Sequence, residues 1–388
     1  MKDTYISEAV KYIGADDTTL DLFESQYQIP NGVSYNSYVI LDEKVAVMDT
    51  IDERKTDEWF ANLENVLNGR MVDYLVISHL EPDHAANIKR AADKFPKAQL
   101  VLSAKAKAML PQFFDIAHLD ERCLVVKEGD TLELGIHKLH FVMAPMVHWP
   151  EVMVEYEETE KILFSADGFG KFGALSAEEE WTDEARRYFI NIVGKYGVQV
   201  QTLLKKAAAL DIQTICPLHG PVLKENLGFY IGKYLTWSSY EPEEDGVLVA
   251  CASIHGNTKA AAEKMVEVLR AKGASKVVFM DLTRDDMAEA VADAFRYGKI
   301  ILAAASYDAG VFPPMEDFLH RLVHKNLQKR TFGLIENGSW APCAAKGMKG
   351  ILEGMKEVNV CENVVSIKST MKDTDVAKME ELAKEILA

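Results

Sequence analysis

The apolar positions in the C-terminal part of the chain fall into short runs separated by helical repeats. Val247–Ala252, Lys276–Leu282, Lys299–Ala305, Thr331–Ile335 and Asn363–Ile367 have strand length. Lys259–Ala271, Asp285–Phe295, Pro314–Leu327, Ala345–Lys356 and Asp375–Leu387 carry apolar residues at helical spacing. Five strands alternating with helices predict a parallel sheet covered on both faces. The N-terminal part is more mixed. Val33–Leu41 and Lys44–Met48 read as a hairpin around Asp42 and Glu43, and Trp59, Leu63, Val66 and Leu67 share one helical face. Tyr74–Ile77, Gln99–Leu102, Leu139–Ala144, Val152–Tyr156, Ile162–Ser165 and Gln213–Cys216 are further short strands, with helices over Glu178–Val193 and Gln199–Ala208. Many strands with helices outside them predict a two-sheet αββα sandwich. Trp181, Tyr188 and Phe189 read as a packing stripe.

The stretch from Ser238 to Gly246 is polar and acidic and contains Pro242 and Gly246, so it reads as a solvated linker. It divides the chain into an N-terminal domain, residues 1–240, and a C-terminal domain, residues 246–388. A length of 388 residues, 48% of them hydrophobic, is enough for two separate cores.

Charge narrows the classes of function. Lys plus Arg number 43 and Asp plus Glu 60, giving a formal charge of −17. Nucleic acids and anionic membranes both call for a basic surface, so neither is expected as a partner. The sequence has no apolar run long enough to span a membrane and no secretory signal pattern. Cys123, Cys216, Cys251, Cys343 and Cys361 are scattered, odd in number and form no CxxC pair. They predict a reducing, cytoplasmic setting and no rubredoxin-like iron site within this chain.

The candidate chemistry of the first domain lies just past its strands. Tyr74–Ile77 runs into His79, Glu81, Asp83 and His84; His148, Asp167 and His219 each follow another apolar strand. Imidazoles and carboxylates on loops that converge at one edge of a sandwich are a metal-ligand set. The other histidines, His118, His137, His140, His320 and His324, have no such setting and read as ordinary surface or core residues.

The second domain carries three loops at strand ends. Ser253, His255, Gly256, Asn257 and Thr258 form a hydroxyl- and amide-rich turn into a helix, which suits a phosphate. Ser306, Tyr307, Asp308 and Gly310 follow the third strand of this domain, and Asn337, Gly338, Ser339 and Trp340 follow the fourth. In a sheet of order 2-1-3-4-5 these loops meet at the switch point.

The spacing His79-x-Glu81-x-Asp83-His84, with Met146–Pro150, Ser165–Gly170 and Pro217–Pro221 around the later ligands, resembles the metallo-β-lactamase fold as flavodiiron proteins use it. The second domain resembles flavodoxin over its whole length, and the flavodiiron resemblance runs from near Tyr35 to the C-terminus. It implies an α/β protein with an N-terminal metallo-β-lactamase-like αββα sandwich and a C-terminal flavodoxin-like, doubly wound five-stranded sheet. It implies one iron held by His79, Glu81 and His148, another by Asp83, His84 and His219, and Asp167 bridging the two. It implies FMN in the second domain, with its phosphate on Ser253, His255, Asn257 and Thr258 and its ring against Tyr307 and Trp340. His255 stands where tyrosine is more usual.

Hydrolases of this fold usually carry histidine where this chain has Glu81, and a carboxylate favours a harder, redox-active ion. Proteins of the resembled family reduce dioxygen to water, nitric oxide to nitrous oxide, or both. A reduced flavin and two ferrous ions together store the four electrons that dioxygen needs. The donor implied is external, rubredoxin or a reduced deazaflavin. The assembly implied is a head-to-tail homodimer or a dimer of dimers, with one chain's flavin serving the partner's iron pair. Two rival readings use the same residues: a metallo-β-lactamase-fold hydrolase fused to a flavodoxin, and an electron carrier without gas reductase activity.

Overall fold

The computed structural model describes residues 6–388; the first five residues, placed by sequence at the start of the first domain, lie outside them. The chain forms two compact units. Among the described residues, one comprises Ile6–Phe189 and Val198–Tyr234, the other Ile190–Gly197 and Leu235–Ala388.

In the first unit, Tyr74–Ile77 shows why the sandwich forms. Four consecutive apolar residues can all be buried only in a central strand covered on both faces, and all four are buried. The strand runs parallel to both neighbours, Val45–Met48 and Gln99–Ser103. The full sheet has the order Val10–Tyr12, Tyr38–Leu41, Val45–Met48, Tyr74–Ile77, Gln99–Ser103, Cys123–Val126. The second sheet has the order Thr131–Glu133, Lys138–Met143, Met153–Glu157, Ile162–Phe164, Thr214–Cys216. Tyr38, Met48, Val76 and Val101 of the first pack in one core with Phe141, Met153, Phe164 and Cys216 of the second. On the far side of the first sheet, helix Thr56–Leu67 lays Trp59 and Leu63 beside Val47 and Leu75. On the far side of the second, Val200 and Leu204 of helix Gly197–Ala207 face Val154 and Leu163. The αββα expectation therefore holds. The expected strand Val33–Leu41 divides at Asn36 and Ser37: Val33–Tyr35 pairs with Ala15–Asp17, and only Tyr38–Leu41 forms the hairpin with Val45–Met48.

The second unit has five parallel strands in the order Val277–Asp281, Glu244–Ala252, Tyr297–Tyr307, Arg330–Asn337, Val358–Ile367, which is 2-1-3-4-5 in sequence. Helices Asn257–Ala271 and Asp373–Leu387 share one core, where Met265 and Leu269 meet Met379 and Leu382. Met287–Arg296, Pro313–His324 and Ala344–Leu352 pack with one another.

The stretch expected to be a solvated linker is solvated only in part: Glu241 and Asp245 are exposed, whereas Ser238, Tyr240 and Gly246 are buried. Ser238 ends helix Leu227–Ser238, and Glu244 already begins a strand. Between them Tyr240 is buried, and its hydroxyl lies 3.1 Å from Gly194 O, 3.2 Å from Gly197 N and 3.1 Å from Asn326 Nδ2. Arg330 donates to Tyr240 O at 2.8 Å and to Phe295 O at 2.5 Å. A buried backbone must find partners, and here a tyrosine and an arginine provide them.

Candidate metal centre and cofactor cleft

Four strand exits of the first unit bring the seven predicted side chains together. His79 and Glu81 come from the loop after Tyr74–Ile77, and Asp83 and His84 from the short helix Pro82–Ala85. His148, Asp167 and His219 follow Lys138–Met143, Ile162–Phe164 and Thr214–Cys216. They form two groups able to hold a metal, His79–Glu81–His148–Asp167 and Asp83–His84–His219, with the donor atoms of each within 4.8 Å of one another.

Asp167 faces both groups. Its Oδ2 lies 3.4 Å from His79 Nε2 and 3.3 Å from His148 Nε2. Its Oδ1 lies 3.1 Å from His84 Nε2 and 3.9 Å from His219 Nε2. Glu81 Oε2 lies 3.0 Å from His148 Nε2 and 3.3 Å from His79 Nε2, and Asp83 Oδ2 lies 3.2 Å from His219 Nε2. One carboxylate reaching two ligand groups with separate oxygens is the geometry of a bridge between two cations.

The donor set fits metal on a second count. Both oxygens of Asp83 and of Asp167, both nitrogens of His84, and His219 Nε2 are buried without a hydrogen-bond partner. A buried polar atom left bare is costly unless something else satisfies it, and Asp83, His84 and His219 each turn one ligand atom into a single group. Two rings are oriented from behind. His219 Nδ1 donates to Ser34 O at 2.7 Å, which fixes the proton there and turns the Nε2 lone pair inward. His79 Nδ1 lies 2.8 Å from Glu151 Oε1, which also accepts from Leu80 N at 2.9 Å.

Burial opposes charge on His79, His84 and His148, yet the carboxylates prevail. Hydrogen bonds to Glu151 and Glu81 hold the His79 pKa well above its ordinary value. Asp167 and Glu81 raise His148 to about 9, and Asp83 and Asp167 raise His84 to about 8. Burial would raise the Asp167 pKa as well, but the surrounding histidines, His84 foremost, hold it well below the ordinary carboxylate range. The same carboxylates that favour charge on these rings would stabilise a cation held among them, in exchange for the rings' protons.

Sequence reasoning did not find the residues that support this set. Asp49 Oδ1 accepts from Ser78 N at 2.8 Å and fixes the start of the first ligand loop. Asn36 Nδ2 donates to Pro217 O and Gly220 O, each at 2.8 Å, and so holds the His219 turn. Gly220 has φ +78° and a Cβ there would lie 2.8 Å from Lys171 Cγ, so the residue after His219 is glycine for both reasons. Tyr188, read as packing, lies against the His219 ring with centroids 5.4 Å apart. The acid after strand Val45–Met48 was a legible signal; the distant pairings of Ser34, Asn36 and Glu151 were not.

In the second unit a cleft of about 630 Å³ opens at the C-terminal ends of the strands, within the usual size of a small-molecule site. His255, Asn257 and Thr258 line it at the start of helix Asn257–Ala271, as do Ser306, Tyr307 and Asp308, and Asn337, Gly338, Ser339 and Trp340. Ser253, Gly256 and Gly310 are not in its lining; Ser253 Oγ accepts from Gly256 N at 3.1 Å and shapes the turn. Ser306 Oγ accepts from Cys343 N and Ala344 N, so it caps helix Ala344–Leu352. Tyr307 and Trp340 are exposed at the rim, Trp340 by 89%. A fourth loop was missed: Ser369, after Val358–Ile367, lines the cleft and exchanges two hydrogen bonds of 2.9 Å with Asn337. A helix N-terminus at one end and exposed aromatic faces at the other fit a phosphate-bearing, planar cofactor.

Comparison with known proteins agrees with this geometry. Residues 33–220 match the family described as ODP family beta lactamase. The chain is 26% identical to a nitric oxide reductase of Moorella thermoacetica, covering 99% of this chain and 98% of that protein. Rubredoxin oxygen:oxidoreductase from the anaerobe Desulfovibrio gigas superimposes with a TM-score of 0.91 at 25% identity, covering 99% of this chain and 97% of that one. The flavodiiron protein of Giardia intestinalis shares the fold, with a TM-score of 0.88 at 23% identity over 100% of this chain and 97% of that one.

Proposed function

We propose that this chain, which carries an ODP-family β-lactamase domain over residues 33–220 and resembles flavodiiron proteins end to end, is an oxidoreductase that reduces dioxygen to water or nitric oxide to nitrous oxide. The observation that carries the reading is Asp167, whose two unpartnered oxygens face two separate ligand groups, one of them, Asp83–His84–His219, also holding buried atoms without a hydrogen-bond partner. Residues 1–240 would be the di-iron domain and residues 246–388 the FMN domain, bounds that differ from the compact units at Ile190–Gly197 and from Leu235 to Tyr240.

His79, Glu81 and His148 would hold one iron, Asp83, His84 and His219 the other, and Asp167 both. His255, Asn257 and Thr258 would hold the FMN phosphate, and Tyr307 and Trp340 would flank its ring. The metal pair, when bound, supplies adjacent redox-active positions for the gas, and the flavin stores and relays electrons. The chain's own residues do the rest. Glu151 and Ser34 orient the His79 and His219 rings. Phe23, Tyr35 and Tyr188 surround His219 and exclude water from that side. Glu81 is half-buried and stands at the more open side of the group, where protons and water can exchange. The overall balances are O2 + 4e− + 4H+ → 2H2O and 2NO + 2e− + 2H+ → N2O + H2O.

Among the described residues no helix is long and apolar enough to cross a membrane. The free, scattered cysteines support a cytoplasmic setting. The names of the relatives support rubredoxin as donor, and the flavodiiron resemblance supports a head-to-tail homodimer in which each flavin serves the partner's metals.

The test is anaerobic reduction of the holoprotein followed by separate pulses of each gas, with flavin absorbance, gas uptake and bound metal measured together. Rapid reoxidation by at least one gas, with iron near two per chain, is expected. Zinc in place of iron with ester or thioester hydrolysis, or a flavin that cycles while no gas is consumed, would overturn it.

A further inference from the structure

Behind the metal centre, on the outer side of the second sheet of the first unit, lies an apolar cavity of about 30 Å³. That exceeds the roughly 10–15 Å³ that a water-sized guest needs. Its position is specific. Val147 in its wall immediately precedes His148, and Gly168 and Phe169 immediately follow Asp167. The backs of two ligand-bearing loops are therefore its inner end. Its outer end is formed by Val142, Leu203, Ala207 and Leu210, all half-buried, whereas Val147, Val154, Leu163 and Phe169 are buried. The cavity runs from side chains that reach the surface to loops that carry Asp167 and His148.

Its walls are dry by construction. Of the described residues that line it, two carry polar side-chain atoms, Ser165 and Tyr234. Ser165 Oγ donates to Gly168 O at 2.6 Å, and Tyr234 Oη accepts from Phe169 N at 2.6 Å. Both groups serve the Asp167 loop and offer little to a guest. A water molecule needs two to four polar partners, so an aliphatic chamber of this kind excludes water and accepts small apolar guests.

We infer that this cavity is a holding site for a small apolar diatomic gas, from which dioxygen or nitric oxide reaches the metal centre between the His148 and Asp167 loops. The inference rests on the gas-reductase reading above and deepens it. It separates two traffics: the charged, half-buried Glu81 side passes protons and water, and the aliphatic side concentrates a substrate that partitions away from water.

Crystals of the holoprotein pressurised with xenon test the site without any substitution. A xenon peak between Phe169 and Val200 is expected, and an empty cavity at saturating pressure would overturn the inference. Ala207→Phe and Leu203→Phe fill the outer end from a half-buried helix face. In each, the KM for gas should rise about threefold to tenfold while kcat at saturating gas and the iron and flavin contents hold. Xenon in the cavity with unchanged KM in both variants would overturn the supply role. A wild-type protein that binds xenon but consumes neither gas would instead sink the proposed function and leave the apolar site standing.

Discussion

Replacing Glu81 by alanine removes one of the two carboxylates, with Asp167, that stand between His79 and His148. Bound iron should fall and gas-driven reoxidation of the flavin should slow, while FMN stays near stoichiometric; metal analysis alongside stopped-flow absorbance reads all three. Glu151 acts at one remove. It touches no gas or metal, but its oxygen fixes the outer nitrogen of His79. Glu151→Ala should weaken metal affinity about 10- to 100-fold, as loss of an outer partner of a metal-bound histidine does, and competition with a chelator measures it. Asp17 gives a pH dependence unrelated to the metals. Burial would raise its pKa, but hydrogen bonds from Thr19 and Arg54 outweigh burial and hold it at about 2, against an ordinary 3.8. A depressed carboxylate stabilises the fold fully above its unfolded pKa and loses that contribution as pH falls through the folded value. The stability gap between wild type and Asp17→Asn should therefore be full above about pH 4 and shrink toward pH 2, in urea titrations at a series of pH values. At this scale the seven metal-group residues could be read from sequence because each follows an apolar strand. Ser34, Asn36 and Glu151 could not, because what they do is set by partners up to 185 residues away.

Among the elements, apolar pattern placed the central strands and long helices but not all their ends: Tyr297–Tyr307 and Val358–Ile367 outrun the expected Lys299–Ala305 and Asn363–Ile367, and Ala344–Leu352 stops short of the expected Lys356. Tyr74–Ile77 is a strand at the bounds its pattern gives, and Asp373–Leu387 differs from the expected Asp375–Leu387 only at its first turn. Departures have local causes. The helix expected over Glu178–Val193 is regular only over Trp181–Tyr188, after which Phe189–Val193 widens into a π-turn that keeps Phe189, Ile190 and Val193 buried. The strand Cys123–Val126 was missed because it is a short, half-buried edge strand beside charged residues. Polar composition did not reveal that Tyr240, within the acidic stretch, turns inward. Its hydroxyl partners predict that Tyr240→Phe costs about 1–3 kcal/mol, since the buried Gly197 N–H loses its acceptor; urea unfolding checks it, with FMN content expected to hold.

For the whole molecule, the proposed homodimer gives the decisive measurement. Dilution to monomers should abolish electron transfer from flavin to iron while both cofactors remain bound, and full activity from a stable monomer would refute that assembly. Sequence alone determined which residues could do chemistry and on which kind of element they ride: ligand types past strands in one domain, hydroxyls and amides at a helix start in the other. These follow from covalent identity and local periodicity, which the chain carries wherever it folds. Tertiary structure decided everything that depends on distance across the chain. It set Asp167 between two ligand groups, drew Ser369 to Asn337 as a fourth wall of the cleft, buried Tyr240, and left an aliphatic chamber behind the His148 and Asp167 loops. Such features exist only where close packing of remote segments brings groups together or leaves a gap, and no local pattern encodes a gap.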